Sequence, residues 1–126
     1  MNVFDASAIL AVLNDEPGAP VVLALLDEGD GVISAANYAE VIAKLIDRSV
    51  TEADATEAWN HLPLTVEPLM PAVALAAGLL RKDTRALGLS LGDRCCLALG
   101  RINDATVITA DRAWTSLPGF RISLIR

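Results

Sequence analysis

The chain has 126 residues, of which 53% are hydrophobic and 4% aromatic, and its formal net charge is −6. These values suit one globular domain over residues 1–126 and argue against a disordered or disulfide-dependent chain. The acidic total argues against simple electrostatic binding of a polyanion, but it is compatible with an acidic metal site that engages phosphate through cations.

The sequence indicates neither a membrane anchor nor a secretion signal. The longest apolar run, Leu69 to Leu80, is too short to span a bilayer and contains Pro71 and Gly78. The segment Met1 to Leu13 has no basic residue and carries Asp5 within its apolar part, which is unlike a signal peptide. We therefore expect a cytoplasmic protein that does not associate with membranes.

Short apolar runs alternate with helical patterns along the chain. In chain order the predicted elements are strand Asn2–Phe4, helix Ala6–Leu13, helix Pro20–Glu28, strand Gly31–Ser34, helix Ala35–Ser49, helix Thr51–Leu62, strand Leu64–Pro68, helix Pro71–Ala86, helix Arg94–Ile102, strand Ala105–Thr109 and strand Arg121–Ile125. This alternation predicts an α/β fold with a mainly parallel sheet covered by helices on both faces.

Four acidic residues lie at the junctions of these elements. Asp5 and Asp111 follow predicted strands, Asp93 precedes a helix, and Glu40 lies on the third helix. If the first strand is central, Asp5 and Asp111 flank the switch point where open α/β sheets bind ligands. Crowded carboxylates repel one another unless a cation lies among them, and Mg²⁺ or Mn²⁺ suits such oxygen ligands. The sequence therefore favours metal-activated attack of water on a phosphodiester.

Each acid also has an ordinary explanation. Asp5 and Asp111 can cap helices, Asp93 can complete a capping box, and Glu40 can form an exposed pair with Lys44. A non-catalytic α/β binding module is therefore an alternative function.

Other catalytic classes lack their residues. The sequence has no glycine-rich phosphate loop, and His61 is its one histidine. The adjacent Cys95 and Cys96 are poorly spaced for an ordinary disulfide or a zinc site and are expected to be small buried hydrophobes. Ser7 stands where a phosphoaspartyl phosphatase would have its second Asp.

Four short motifs surround the acids. They are Val3-Phe4-Asp5-Ala6-Ser7-Ala8, Asn37-Tyr38-Ala39-Glu40-Val41, Leu89-Ser90-Leu91-Gly92-Asp93 and Thr109-Ala110-Asp111-Arg112-Ala113-Trp114. With these motifs in this order, the chain resembles the PIN-domain ribonucleases, in particular the VapC-type toxins of bacterial toxin-antitoxin pairs. The resemblance implies a three-layer α/β/α sandwich of about five strands and endonucleolytic hydrolysis of RNA with Mg²⁺ or Mn²⁺.

The resemblance also implies roles for the acids. Asp5, Glu40, Asp93 and Asp111 would form an acidic quartet. Asp5 and Asp93 would be the most direct metal ligands, while Glu40 and Asp111 would act directly or through waters, with Asp111 included in the metal site. Glu40 lies opposite the apolar stripe of its helix, so we expect that stripe to face the core or a second subunit.

Further residues and partners follow from the same resemblance. Ser7 and Thr109 would hydrogen-bond the carboxylates, and Arg94 and Arg112 would contact phosphate. The expected partners are RNA, a second copy in a homodimer, and a cognate antitoxin whose C-terminal segment covers the site. The absence of Lys and Arg before Lys44 is compatible with a basic partner. A PIN-type nuclease of RNA processing, outside a toxin pair, is a further alternative.

Overall fold

A parallel sheet of five strands forms the centre of the structure, a computed structural model that describes residues 1–126. The strands are β1 (Asn2–Phe4), β2 (Gly31–Ser34), β3 (Thr65–Glu67), β4 (Thr106–Thr109) and β5 (Arg121–Leu124). The α-helices are α1 (Ala6–Leu13), α2 (Ala19–Leu26), α3 (Ala35–Asp47), α4 (Glu52–Asn60), α5 (Pro71–Leu79), α6 (Arg81–Thr84) and α7 (Leu91–Ile102). Two 3₁₀ helices cover Arg85–Leu87 and Arg112–Ser116.

The order of the strands across the sheet is β3-β2-β1-β4-β5, and every neighbouring pair is parallel. Val3 of the central strand pairs with Val32 of β2 on one side and with Val107 of β4 on the other. The predicted α/β fold with a parallel sheet is therefore confirmed, and β1 has the central position on which the expected placement of Asp5 and Asp111 depended. Because strand order reverses at β1, the residues after β1 and β4 meet at the switch point.

Alternating strand residues bury one apolar core on each face of the sheet. On one face, Val3 and Val107 pack against α5 and α7. On the other face, Phe4 and Ile108 pack against helices α1 to α4. Helix α7 lies so close to β4 that a Cβ atom at Gly100 would be 2.3 Å from Val107 Cγ2. Helices cover both faces, which gives the three-layer arrangement expected from the sequence.

The long helix predicted over Pro71–Ala86 is divided in the structure. Helix α5 ends at Leu79, and the short α6 and a 3₁₀ turn follow. The Thr84 hydroxyl donates to the carbonyl of Leu80 at 2.8 Å, a type of contact that bends helices. The segment ends at Gly88, whose φ of +65° stops helical continuation.

The last long helix begins earlier than predicted. Helix α7 begins at Leu91 instead of Arg94, because Ser90 and Asp93 form a complete capping box. Asp93 therefore lies in the first turn of a helix, where its position is fixed, and not in a preceding loop.

Helix α5 is apolar on all sides but is only partly buried. Val73 and Ala77 face the core, whereas Leu75 and Leu79 are 65% and 69% exposed. A helix with apolar residues all round is normally covered. No helix of the structure is long and apolar enough to cross a membrane. The side of α5 that carries Leu75 and Leu79, here called the α5 surface, is thus an uncovered apolar face.

Candidate active site

Asp5 lies at the carboxyl end of the central strand and is 4% exposed. Its N–H donates to the carbonyl of Ile108 at 2.9 Å, so the pairing of β1 with β4 continues to this residue. The Asp5 side chain makes no capping bond to α1. Instead, Oδ2 accepts hydrogen bonds from Ser7 Oγ at 2.6 Å and from Thr109 Oγ1 at 3.0 Å. Two hydroxyl groups therefore orient a buried carboxylate, and helix capping does not explain it.

The same hydroxyl groups hold the segment that follows β4. Ser7 Oγ accepts from the N–H of Ala110 at 3.0 Å, and Thr109 Oγ1 accepts from the N–H of Asp111 at 3.1 Å. Each hydroxyl thus donates to Asp5 and accepts from the backbone. This network joins the ends of β1 and β4 at the switch point.

Burial raises the pKa of Asp5 from 3.8 to about 6. Desolvation is the largest cause, because the interior disfavours the charged form. The hydrogen bonds from Ser7 and Thr109 lower the pKa, and the negative charges of Asp93 and Glu40 raise it. The carboxylate is therefore costly to ionise in the absence of a positive charge.

Three of the four acids are close enough to interact. Asp93 and Glu40 act on the pKa of Asp5, and all three carboxylates act on Cys96 of α7. Burial, and after it these charges, raise the pKa of the Cys96 thiol well above its ordinary value. Cys96 is a neutral, fully buried thiol, which agrees with the hydrophobic role expected from the sequence.

Asp93 and Glu40 also make the ordinary contacts that the sequence allowed. Asp93 Oδ2 accepts from the N–H of Ser90 at 2.9 Å and completes the capping box. Glu40 Oε1 lies 3.7 Å from Lys44 Nζ, and the Glu40 side chain is 28% exposed. These contacts fix where the two carboxylates stand relative to Asp5.

Asp111 and Arg112 are more exposed than the other site residues. Asp111 follows β4 and is linked to Asp5 through Thr109, but its Oδ1 accepts from the N–H of Ala113 at 3.0 Å. Arg112 is exposed at the same edge of the sheet.

Arg94, in contrast, is directed toward α5. Its Nη1 donates to the carbonyl of Ala77 at 3.0 Å, and its Nε is buried without a partner. The structure therefore gives Arg94 a packing contact and does not bring its guanidinium to the carboxylates.

The donor set suits a hard divalent cation by its chemistry, because the groups at this edge are carboxylate oxygens. A cation would also offset the desolvation and, after it, the repulsion that raise the pKa of Asp5. In this structure no three acidic side chains are close enough to share one ion. Asp93 and Asp111 each accept a bond from a backbone N–H group. The residues fit a cation by their chemistry, and each of these two carboxylates keeps one oxygen outside its backbone bond, Oδ1 of Asp93 and Oδ2 of Asp111.

Asn37 is a residue of the site to which the sequence analysis assigned no role. Its side chain is fully buried, and Nδ2 donates to the carbonyl of Gly92 at 3.1 Å and to Glu40 Oε2 at 3.4 Å. The available signal was a polar residue three positions after the cap Ser34 and three before Glu40. The contact with Gly92 depends on helix packing that the pattern does not show.

A family model described as the PIN domain matches residues 3–119 of the chain. No curated protein sequence matches it.

Solved structures share the fold at low sequence identity. A chain of a toxin-antitoxin complex from Klebsiella pneumoniae is 16% identical, with a TM-score of 0.78 and coverage of 100% of this chain and 98% of that one. A chain of VapBC2 from Rickettsia felis, bound to promoter DNA, is 16% identical, with a TM-score of 0.77 and coverage of 98% and 97%. VapC20 of Mycobacterium tuberculosis, described as a toxin that cleaves the sarcin-ricin loop, is 15% identical, with a TM-score of 0.77 and coverage of 96% and 98%.

Proposed function

Because the chain belongs to the PIN-domain family, we propose that it is an endoribonuclease that depends on Mg²⁺ or Mn²⁺ and serves as the toxin of a type II toxin-antitoxin pair. The observation that carries this proposal is the buried carboxylate of Asp5, oriented by two hydroxyls and flanked by the charges of Asp93 and Glu40. A ligand of positive charge would offset the cost of this arrangement. The RNA-cleaving activity ascribed to the M. tuberculosis toxin of the same fold supports RNA as the substrate.

In this proposal the four acids have two roles, binding the cation and activating water. Asp5, Asp93 and Asp111 would hold the cation, and Glu40 would orient or deprotonate the attacking water. When bound, the cation supplies an activated water and stabilises the charge of the leaving oxygen. Both hydroxyl groups bond Oδ2 of Asp5, so Oδ1 is the oxygen available to a cation. Ser7 and Thr109 thereby fix the direction of that second oxygen.

The position of the acids at one edge of the sheet suits a polymeric substrate. The two cavities, of about 310 and 660 Å³, are lined by other residues than the four acids. A small molecule is usually enclosed by its pocket, whereas an acidic edge with a nearby cation suits the exposed backbone of RNA. Of the two arginines assigned to phosphate, Arg112 is available at this edge, and Arg94 would first have to leave Ala77.

Cleavage of total RNA by the purified protein, freed of any antitoxin, tests the enzyme. We expect cutting with Mg²⁺ or Mn²⁺, none with EDTA, and none in the Asp5→Asn variant. Calorimetry should detect Mn²⁺ binding to the wild type only. A folded protein that neither cuts RNA nor binds Mn²⁺ would favour the alternative function, a non-catalytic binding module. The capping contacts of Asp93 and Asp111 are compatible with that alternative.

The toxin role and the RNA-processing role differ in cells. A toxin should arrest growth on expression, acting on RNA in the cytoplasm, and the product of a neighbouring reading frame should relieve the arrest. The structural neighbours from K. pneumoniae and R. felis are complexes with antitoxins, which supports such a partner. Harmless expression of an active nuclease would count for RNA processing instead.

The α5 surface supports the proposed homodimer. Leu75 and Leu79 are among the most exposed large apolar residues of the chain, and a second copy would remove them from water. A Leu75→Glu and Leu79→Glu double variant should elute and scatter light as a folded monomer, whereas the wild type should be a dimer. Leu23→Glu, on another exposed apolar position, is the matched control and should stay dimeric. A monomeric wild type would overturn this part of the proposal.

A further inference from the structure

The buried amide of Asn37 connects the two helices that carry Glu40 and Asp93. Its side chain has no exposed surface, so its polar atoms need partners inside the protein. Oδ1 accepts from the Ser34 hydroxyl, and that hydroxyl accepts from the Asn37 N–H at 3.1 Å. Nδ2 donates to Glu40 Oε2 at 3.4 Å and to the carbonyl of Gly92 at 3.1 Å. The amide thus reaches both α3 and the first turn of α7.

Capping of α3 does not account for these contacts. The cap needs the Ser34 oxygen and the backbone N–H of Asn37, and an apolar side chain at this position would leave both in place. The carbonyl of Gly92 lies within α7, where the helix already provides a donor four residues later. Neither helix therefore requires the bonds from Nδ2 of Asn37. One of these bonds is made to Glu40 itself, and the other to the residue before Asp93.

Gly92, on α7, also indicates that α7 lies close to the side chains of Glu40 and Asn37 on α3. A Cβ atom there would lie 3.1 Å from Glu40 Oε2 and 3.6 Å from Asn37 Nδ2. Alanine is the better residue inside a helix, and Gly92 lies in the first turn of α7. What glycine provides here is room for the carboxylate of Glu40 to approach α7.

We propose that Asn37 and Gly92 are positioning residues, which together set the distance between the carboxylates of Glu40 and Asp93. The proposal rests on the proposed metal-dependent nuclease, because it assigns these two acids to one site. Asn37 holds Glu40 directly, and it holds Asp93 through the preceding carbonyl. The uncharged amide of Asn37 donates a hydrogen bond to the Glu40 carboxylate. Its second bond holds the first turn of α7 in place, although that turn carries Asp93, which has the same charge as Glu40.

The Gly92→Ala variant separates positioning from stability. The added methyl group should displace the Glu40 carboxylate, while the helix itself should become no less stable. We expect an unchanged or higher melting temperature, about tenfold weaker Mn²⁺ binding by calorimetry, and a lower kcat with little change in KM. Gly78→Ala is the matched control, because a Cβ at this helical glycine meets nothing within 4 Å. The control should keep wild-type metal affinity.

The Asn37→Ala variant tests the distance between the Glu40 and Asp93 carboxylates by a change on α3. It should weaken Mn²⁺ binding by a similar factor, measured below its melting temperature, and the double variant with Gly92→Ala should lose little more than either single one. Equal Mn²⁺ affinity in the wild type, Gly92→Ala and Gly78→Ala would overturn the inference and leave the nuclease intact. A wild type that binds no Mn²⁺ and cuts no RNA would overturn both.

Discussion

The Asp5→Asn variant is expected to unfold at a higher temperature than the wild type above pH 7 in metal-free buffer, although it should cut no RNA. The folded state raises the pKa of Asp5 from 3.8 to about 6, so between these values the folded protein binds its proton more tightly than the unfolded chain. Stability therefore falls as pH rises through this window and stays lower above it, whereas below it both states are protonated.

The size of the effect follows from the pKa difference. About two pH units correspond to about 3 kcal/mol, or roughly 10 °C in melting temperature for a chain of this size. The amide of Asn carries no charge to desolvate and keeps an oxygen for the hydroxyls of Ser7 and Thr109. Unfolding followed by circular dichroism from pH 3.5 to 8.5, with EDTA present, measures the difference.

Two controls make this result specific. Asp27→Asn, at an exposed position, should follow the wild type at every pH. Added Mn²⁺ should stabilise the wild type, by about 2.7 kcal/mol at a concentration 100 times its Kd, and leave Asp5→Asn unchanged. An Asp5→Asn protein that is no more stable than the wild type at pH 8 would show that the charge of Asp5 carries no such cost.

The second large effect is expected at Asp93. Asp93→Asn should lower kcat/KM for RNA by roughly 100-fold or more, since it removes a charge from the site. Its melting temperature should change little, because the amide oxygen can still accept from the N–H of Ser90, now 2.9 Å from Oδ2. Kinetics with a defined RNA and thermal unfolding of the same samples provide both numbers.

Ser90→Ala should have the opposite effect to Asp93→Asn, lower stability with nearly unchanged activity. It removes the hydroxyl that accepts from Asp93 N–H at 3.1 Å and should cost about 0.5 to 2 kcal/mol of stability. The carboxylate and the backbone bond to it remain, so cleavage below the melting temperature should stay within about twofold of the wild type. If both variants lost activity in proportion to stability, Asp93 would be a cap and nothing more.

The sequence predicted the parts of the fold that depend on short apolar segments, which form the buried strands. The alternation of strands and helices left few topologies, so a mainly parallel sheet with Asp5 and Asp111 at strand ends was predicted, and the parallel sheet is confirmed. The resemblance to PIN domains, based on four motifs, is confirmed by the family match.

The differences arise at helix ends, where local side-chain hydrogen bonds decide. Gly88 and Gly92 made the segment before Arg94 resemble a loop, although Gly92 lies in the first turn of α7, which begins at the capping box of Ser90 and Asp93. The break after Leu79 follows Gly78 and accompanies the Thr84 hydroxyl bond. Neither signal is visible in periodicity alone.

The sequence named the four acids as candidate site residues, but it did not predict their side-chain contacts. Asp93 and Asp111 accept backbone hydrogen bonds, and Arg94 turns to α5. The partner of Asn37 is 55 residues away along the chain, so its burial depends on how α3 and α7 pack. A single sequence does not distinguish such an asparagine from an exposed one.

The hydrogen bond between Thr109 and Asp5 joins residues that are 104 positions apart, and this separation has a consequence during translation. At roughly 5 to 20 residues per second, a ribosome takes about 5 to 20 seconds to add the intervening chain. Until β4 is made, β1 lacks one neighbouring strand and Asp5 lacks one of its two hydroxyl donors. An unfinished chain therefore lacks the side-chain arrangement on which the proposed activity depends, and the site can form only near the end of synthesis.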